Sequence, residues 1–351
     1  MRRHLETALQ LLGPVVVVVA VGAVSTTASP ANKIYFLNAL VYVAMVVAIY
    51  VFVGNSGVLS FGQMSFVAVG AFAAGVVTVP LVSKKGVLTD LFPLLRDHTI
   101  GNIWSLLLAA ALGGLFAFIV GLPLMRLSGL AAGIATFALL EITHNILQQW
   151  TKIGPGATTL SLVPETTGAL QATLGAIVAI AAAFLYQRSR LGRQLRATRE
   201  DPAAARGIGI HIHRQRLWAF TLSGAMAGFA GALFVHLLGS ITTEQVYLEL
   251  TFLTLAMLVF GGIGSLWGAV VGALVISGLD SFLGQAEQGV DLGFTLDLPT
   301  GTRLVFLAAI MALVLILRPS GLTGGREFSL PVPKRRARSG PGSRPRPAES
   351  P

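Results

Sequence analysis

Chemistry in this chain has few places to reside, and Glu141 is the first. It sits inside the apolar run 127–150, with His144 three residues on and Asn145 four residues on. Those spacings put a carboxylate, an imidazole and an amide on one helix face. An ionisable residue within a membrane span marks a proton, ion or substrate path, or a hydrogen-bonded structural pair. The second place is the stretch 188–216, which holds eight Arg and two acids, Glu200 and Asp201. Arg190, Arg193, Arg196 and Arg199 step by three, so they spiral round half of a helix rather than forming one stripe. Asp201 suits a helix cap and Pro202 the first helical position. Ala203, Ala204, Ala205 and Arg206 then make one small-residue turn, which Gly207 or Gly209 can end in the left-handed region. A short helix with an alanine face admits the groove of another protein. A solvated basic loop beside anionic headgroups is the alternative.

Two small-residue stretches complete the set. Gly54, Gly57, Ser60, Gly62, Gln63, Gly70 and Gly75 crowd one run, and Gly261, Gly262, Gly264 and Ser265 another. Small residues let helices pack closely in lipid. They also permit broken helices whose backbone faces a substrate. Ser60, Gly62, Gln63, Glu141, Gly262 and Ser265 are therefore the candidates for a transport path. Gly224 with Gly228, and Gly264, Gly268 and Gly272 in series, read as helix-packing patterns, within the chain or at a dimer seam. No GxxxxGK[ST], HExxH or GxSxG motif occurs, and the chain has no Cys. These patterns offer no phosphate loop, no zinc protease, no serine hydrolase, no thiol chemistry and no metal centre, so no catalytic residue is assigned.

Composition supplies the elements that must position these residues. Of 351 residues, 54% are hydrophobic and 11% charged, with a mean hydropathy of +0.75; soluble domains carry roughly 25% charged residues. This is an all-α polytopic membrane protein, since backbone in lipid must satisfy its own hydrogen bonds and the runs do not alternate as barrel strands do. Apolar runs fall at 9–28, 35–53, 57–79, 103–123, 127–150, 169–187, 217–238 and 303–317. The run 251–279 is too long for one crossing, and its glycines predict a broken or re-entrant segment, for about eight to ten helices in all. The polar stretches 80–102 and 151–168 read as loops, and His236 as an interfacial residue. Residues 1–325 form the membrane domain, and the basic, Pro-rich residues 326–351 read as a disordered tail.

The net charge of +10 follows from the excess of Lys and Arg in cytoplasmic loops, not from nucleic-acid binding. With 251–279 crossing twice or re-entering, the N-terminus, the arginine loop and the tail share the cytoplasmic side. Of the 25 Lys and Arg, that topology puts roughly three quarters inside.

Four stretches together resemble the permeases of bacterial high-affinity branched-chain amino acid ABC transporters, the LivH/LivM family, and the LivM type in particular. They are GNSGVLSFGQMSFVAVGAFAAG from Gly54, TFALLEITHNILQQW from Thr136, SRLGRQLRATREDPAAARGIGI from Ser189 with AFTLSGAMAGFAGALF after it, and VFGGIGSLWGAVVGALV from Val259 with RPSGLTG from Arg318. The resemblance implies an ABC importer permease in the bacterial inner membrane, with N-terminus and tail cytoplasmic. It implies two cytoplasmic ATPases that bind ATP and Mg2+, a second LivH-like permease and an extracytoplasmic substrate-binding protein, this chain itself binding no cofactor. Arg199, Glu200, Asp201, Ala204, Ala205 and Gly209 would then couple to the ATPase. His144 stands where such chains often have Arg, Gly154-Pro155-Gly156 where they often read Thr-Gly-Gly, and Arg206 where an acid is common. A permease for urea or short amides, a stand-alone ion-coupled transporter working through Glu141 and His144, and a lipid-binding membrane anchor are the competing readings.

Overall fold

The computed structural model describes residues 2–88, 90–287, 301–318, 320–325 and 327. Among them the chain is helical, with one isolated bridge between Leu160 and Ile241 and no strand. The helices are α1 (Arg2–Thr27), α2 (Pro30–Ser56), α3 (Gln63–Thr78), α4 (Leu81–Val87), α5 (Pro93–Arg96), α6 (Asn102–Leu124), α7 (Leu130–Gln149), α8 (Ala169–Arg188), α9 (Arg190–Glu200), α10 (Pro202–Gly207), α11 (Ile212–Leu238), α12 (Leu248–Gly261), α13 (Leu266–Glu287) and α14 (Thr302–Leu317). Seven of these, together with α12 taken with the helical turn before it as Glu244–Gly261, are long and apolar enough to cross a bilayer, and α3 and α14 are shorter apolar helices.

The centre of the bundle is α2 and α11, with α3 and α6 packed on α11. Every residue of α2 from 43 to 56 is buried. Lipid gives no hydrophobic drive between helices, so close packing of small residues has to hold them. Gly224 and Gly228 of α11 press on Ala109, Gly113 and Ala117 of α6, and Gly70 of α3 meets the Gly228 backbone. These glycine patterns therefore serve contacts within the chain.

The expected span 57–79 starts later than its apolar run. α2 closes on Gly57, whose φ of 71° is left-handed and whose N–H donates to Val53 O at 3.0 Å. Helix resumes only at Gln63, and the Phe61 N–H between them donates to Thr136 Oγ1 of α7 at 3.2 Å. The Ser223 hydroxyl lies 2.6 Å from Ala48 O and 3.0 Å from Gln63 Oε1. Ala48 is two turns before the end of α2, so α3 begins roughly 12 Å inside the bundle.

The long run 251–279 is broken as expected, into α12 and α13. Gly262, with φ 118°, makes the turn, and Ser265 Oγ accepts from Gly268 N at 3.0 Å at the start of α13. α13 continues past Leu279 to Glu287 because its Asp280 is neutralised: Arg303 of α14 holds it at 2.6 and 3.1 Å. The sequence offers Glu141 as the one carboxylate deep in a span; Asp280 is a second. The loop expected over 80–102 contains α4 and α5, pinned by buried Lys84, whose Nζ donates to Leu95 O at 3.0 Å and His98 O at 2.7 Å. Burial pushes the Lys84 ammonium pKa down. His236, near the end of α11, is fully buried in the protein, its ring between Ser105 Oγ at 2.9 Å and Pro164 O at 3.1 Å. One such interhelical bond contributes about 0.6 kcal/mol. Except for Glu327, the tail 326–351 lies outside the described residues.

Candidate functional site: coupling loop and transport path

The arginine stretch folds into two helices at a corner. Ser189 caps α9, its Oγ accepting from Gly192 N at 3.1 Å. Asp201 caps α10, accepting from Ala203 N at 2.8 Å and Ala204 N at 3.0 Å. Gly209, with φ 83°, takes the chain out in the left-handed region. Leu195, Thr198 and Ala205 are buried against the bundle, while Ala203, Ala204 and Ile208 are exposed. The α10 corner therefore presents a small apolar knob among charged residues. Ala205 is its inward anchor.

The arginine spiral divides. Arg190 and Arg193 are exposed, but Arg196 donates to Gln187 O and Arg199 Nη1 donates to Gly54 O at 2.6 Å. The second bond ties α9 to the last turn of α2, just before the Gly57 break. A cavity of about 810 Å³ opens here, lined by Gly57, Leu59, Arg199, Glu200, Gly264 and Gly325 among others. Gly262 and Ser265 belong to this end of the molecule. The segment after α14 lies along their turn: Leu322 N donates to Phe260 O at 2.8 Å, and Thr323 Oγ1 to Gly261 O at 2.8 Å. Glu327 accepts from Leu266 N at 3.1 Å and Trp267 N at 3.4 Å. Its carboxyl is pushed above the usual carboxylate range, chiefly by burial.

Ser60, Gly62 and Gln63 lie at the interior start of α3. Ser60 Oγ and Gln63 Nε2 are buried without a hydrogen-bond partner. A Cβ on Gly62 would stand 2.7 Å from Thr136 O, so α3 and α7 touch by backbone. Glu141 lies further along α7, on an exposed face. Asn145 Nδ2 donates to its Oε1 at 2.9 Å and Tyr247 donates its hydroxyl to Oε2. His144 does not bond Glu141; it stacks on Tyr247 at 3.9 Å and lies 3.3 Å from Glu244 Oε1. The structure thus brings Arg199 and Glu200 of the loop to one cavity with Gly264, between Gly262 and Ser265 in sequence, leaves Asp201, Ala204, Ala205 and Gly209 outside its lining, and sets Glu141 apart with Tyr247 and Glu244. Sequence reasoning missed Tyr247, Glu244, Glu327 and the Asp280–Arg303 pair. Only the charges of Asp280 and Arg303, each beside an apolar run, could have flagged a partnership.

A family model described as branched-chain amino acid transport system / permease component matches residues 33–315. The chain belongs to this family. It is a multi-pass membrane protein and a permease component, which is not itself catalytic. It is similar to the high-affinity branched-chain amino acid transport system permease protein LivM of Escherichia coli, with 26% identity over 81% of this chain and 68% of that one. It is 27% identical to the nucleoside ABC transporter permease protein NupC of Lactococcus lactis over 60% of this chain and 69% of that one. It is 29% identical to the autoinducer 2 import system permease protein LsrC of Klebsiella pneumoniae over 50% of this chain and 52% of that one. No solved structure matches the chain.

Proposed function

We propose that this chain is one of two membrane subunits of an ATP-driven importer for branched-chain or related small amino acids in a bacterial inner membrane. The observation that carries it is the α9–α10 corner: a capped short helix with exposed Ala203, Ala204 and Ile208, connected by Arg199 to the end of α2. Two cytoplasmic ATPases bind ATP and Mg2+ and dock on such corners. A second LivH-like permease completes the path, and an extracytoplasmic binding protein delivers the substrate. The N-terminus, the α9–α10 corner and the tail lie in the cytoplasm, where Lys and Arg collect.

Closure of the ATPase pair moves α10. The Asp201 cap makes α9 and α10 a rigid corner, and the Arg199–Gly54 bond passes the displacement to the break between α2 and α3. A break with few helical hydrogen bonds is a hinge, so α3 can tilt against α7 while the α2–α11 core stays in place. The amino-acid assignment draws on the LivM relative, which shares more of this chain than the nucleoside and autoinducer 2 permeases do.

Purification from the native membrane in mild detergent tests this reading. ATP-binding subunits and a second permease are expected to co-purify, and Ala204→Asp is expected to release the ATPases while leaving the chain inserted. A chain that arrives alone and transports by itself after reconstitution would overturn the proposal.

A further inference from the structure

Glu141 is the twelfth of the twenty residues of α7, so roughly 12 Å of helix separates it from the nearer end. At that depth an ionised side chain does not face lipid; it faces protein or a water-filled path. Yet it is exposed on this subunit. Each of its oxygens carries one hydrogen bond, from Tyr247 or Asn145, and a carboxylate has about four lone-pair sites. It is positioned but not saturated.

An apolar surface adjoins it. Phe137, one turn before Glu141 on α7, meets Phe61 edge-on at 6.4 Å, and Phe61 meets Phe252 of α12 at 6.2 Å. Phe137 and Phe252 are 39% and 55% exposed, so two of the three rings turn outward on the side that bears the carboxylate. Tyr247 and Phe252, both at the start of α12, link the polar part to the aromatic part. A carboxylate beside a ring cluster is complementary to a molecule with an ammonium group next to an aliphatic chain.

We propose that this α7–α12 face is the chain's half of an amino-acid subsite on the permeation path. Glu141 takes the ammonium group, and Phe61, Phe137 and Phe252 take the aliphatic side chain. Glu244, held beside His144, is the outer acidic group that the substrate passes first. The facing permease supplies the group that meets the substrate carboxylate. The inference rests on the amino-acid permease reading and adds which atoms discriminate: an uncharged nucleoside can offer Glu141 a neutral hydrogen bond but no ammonium charge.

The chain has no Cys, so Glu141→Cys and Phe252→Cys each introduce its only thiol. The assembled complex in proteoliposomes is treated with a membrane-impermeant cationic methanethiosulfonate, and modification of this chain is read by mass. Labelling is expected at both positions, and in Phe252→Cys, which keeps Glu141, it is slowed several-fold by leucine but not by its des-amino analogue 4-methylpentanoate. Val178→Cys, on an exposed part of α8, is expected to stay unlabelled. In the otherwise unaltered, cysteine-free chain, Glu141→Gln gives the second reading: complex yield unchanged, and the KM for leucine raised about tenfold, the scale of one lost charge-assisted bond. Failure to label position 141 in both nucleotide-free and ATP-bound complexes, labelling of position 252 indifferent to leucine, or an unchanged KM in Glu141→Gln would overturn the subsite. Absence of leucine uptake by the wild-type complex would instead overturn the amino-acid reading beneath it.

Discussion

Arg199 reaches from α9 to the carbonyl of Gly54 at 2.6 Å, and its aliphatic stem packs where a Cβ on Gly57 would be, 2.9 Å from Arg199 Cγ. One side chain thus touches both sides of the turn at which α2 ends. In the proposed mechanism this side chain makes the α9–α10 corner and the break between α2 and α3 move together.

Arg199→Ala is expected to leave complex yield intact and to cut uptake several-fold while ATP hydrolysis continues. Gly57→Val, which is strained at φ 71° and meets the same side chain, should give the same uncoupling with lower yield. Uptake per ATP hydrolysed, in proteoliposomes, is the measurement. An unchanged ratio in Arg199→Ala would show that the bond transmits nothing.

Gly62→Leu forces a side chain between α3 and α7 where even a Cβ would lie 2.7 Å from Thr136 O. Overpacking of this kind costs about 1–3 kcal/mol. A lower unfolding temperature of the purified complex and lost uptake are expected, with Gly62→Ala intermediate.

The Asp280–Arg303 pair joins α13 to α14. Removing one partner of a fully buried ion pair costs about 3–5 kcal/mol, because the other charge is left uncompensated; the cost here is smaller, since the Arg303 side chain is 32% exposed. Arg303→Leu alone should reduce the amount of inserted protein, and Asp280→Leu with Arg303→Leu should restore much of it. Membrane levels of the three variants decide.

Glu327 gives a pH dependence. Its folded-state pKa is raised by burial, so its contribution to holding the 320–327 segment is full below the ordinary carboxylate value and is lost as pH rises through the folded value. Amide exchange at Leu322 and Thr323, which donate to Phe260 O and Gly261 O, should accelerate with pH beyond its intrinsic increase. Glu327→Gln, which cannot ionise, should remove that extra term.

Much of the fold was legible in the chain itself. Apolar runs of about twenty residues and scarce charge require membrane helices, because lipid leaves no other partner for the backbone. The Asp201-Pro202 pair places the start of α10 through local hydrogen bonds, and the glycines of 261–264 place the break between α12 and α13. These features depend on neighbours a few residues apart, which a sequence displays. Tertiary structure alone decided the rest. A late start for α3 depends on Thr136, 75 residues away, receiving the Phe61 amide. The extension of α13 depends on Arg303 cancelling a charge 23 residues earlier. Glu141 is held by Asn145, as the spacing of four indicates, but its other oxygen is met by Tyr247, 106 residues on, and not by His144. Pairing across such separations is set by how helices stack, and hydrophobic periodicity carries no record of which helix becomes a neighbour.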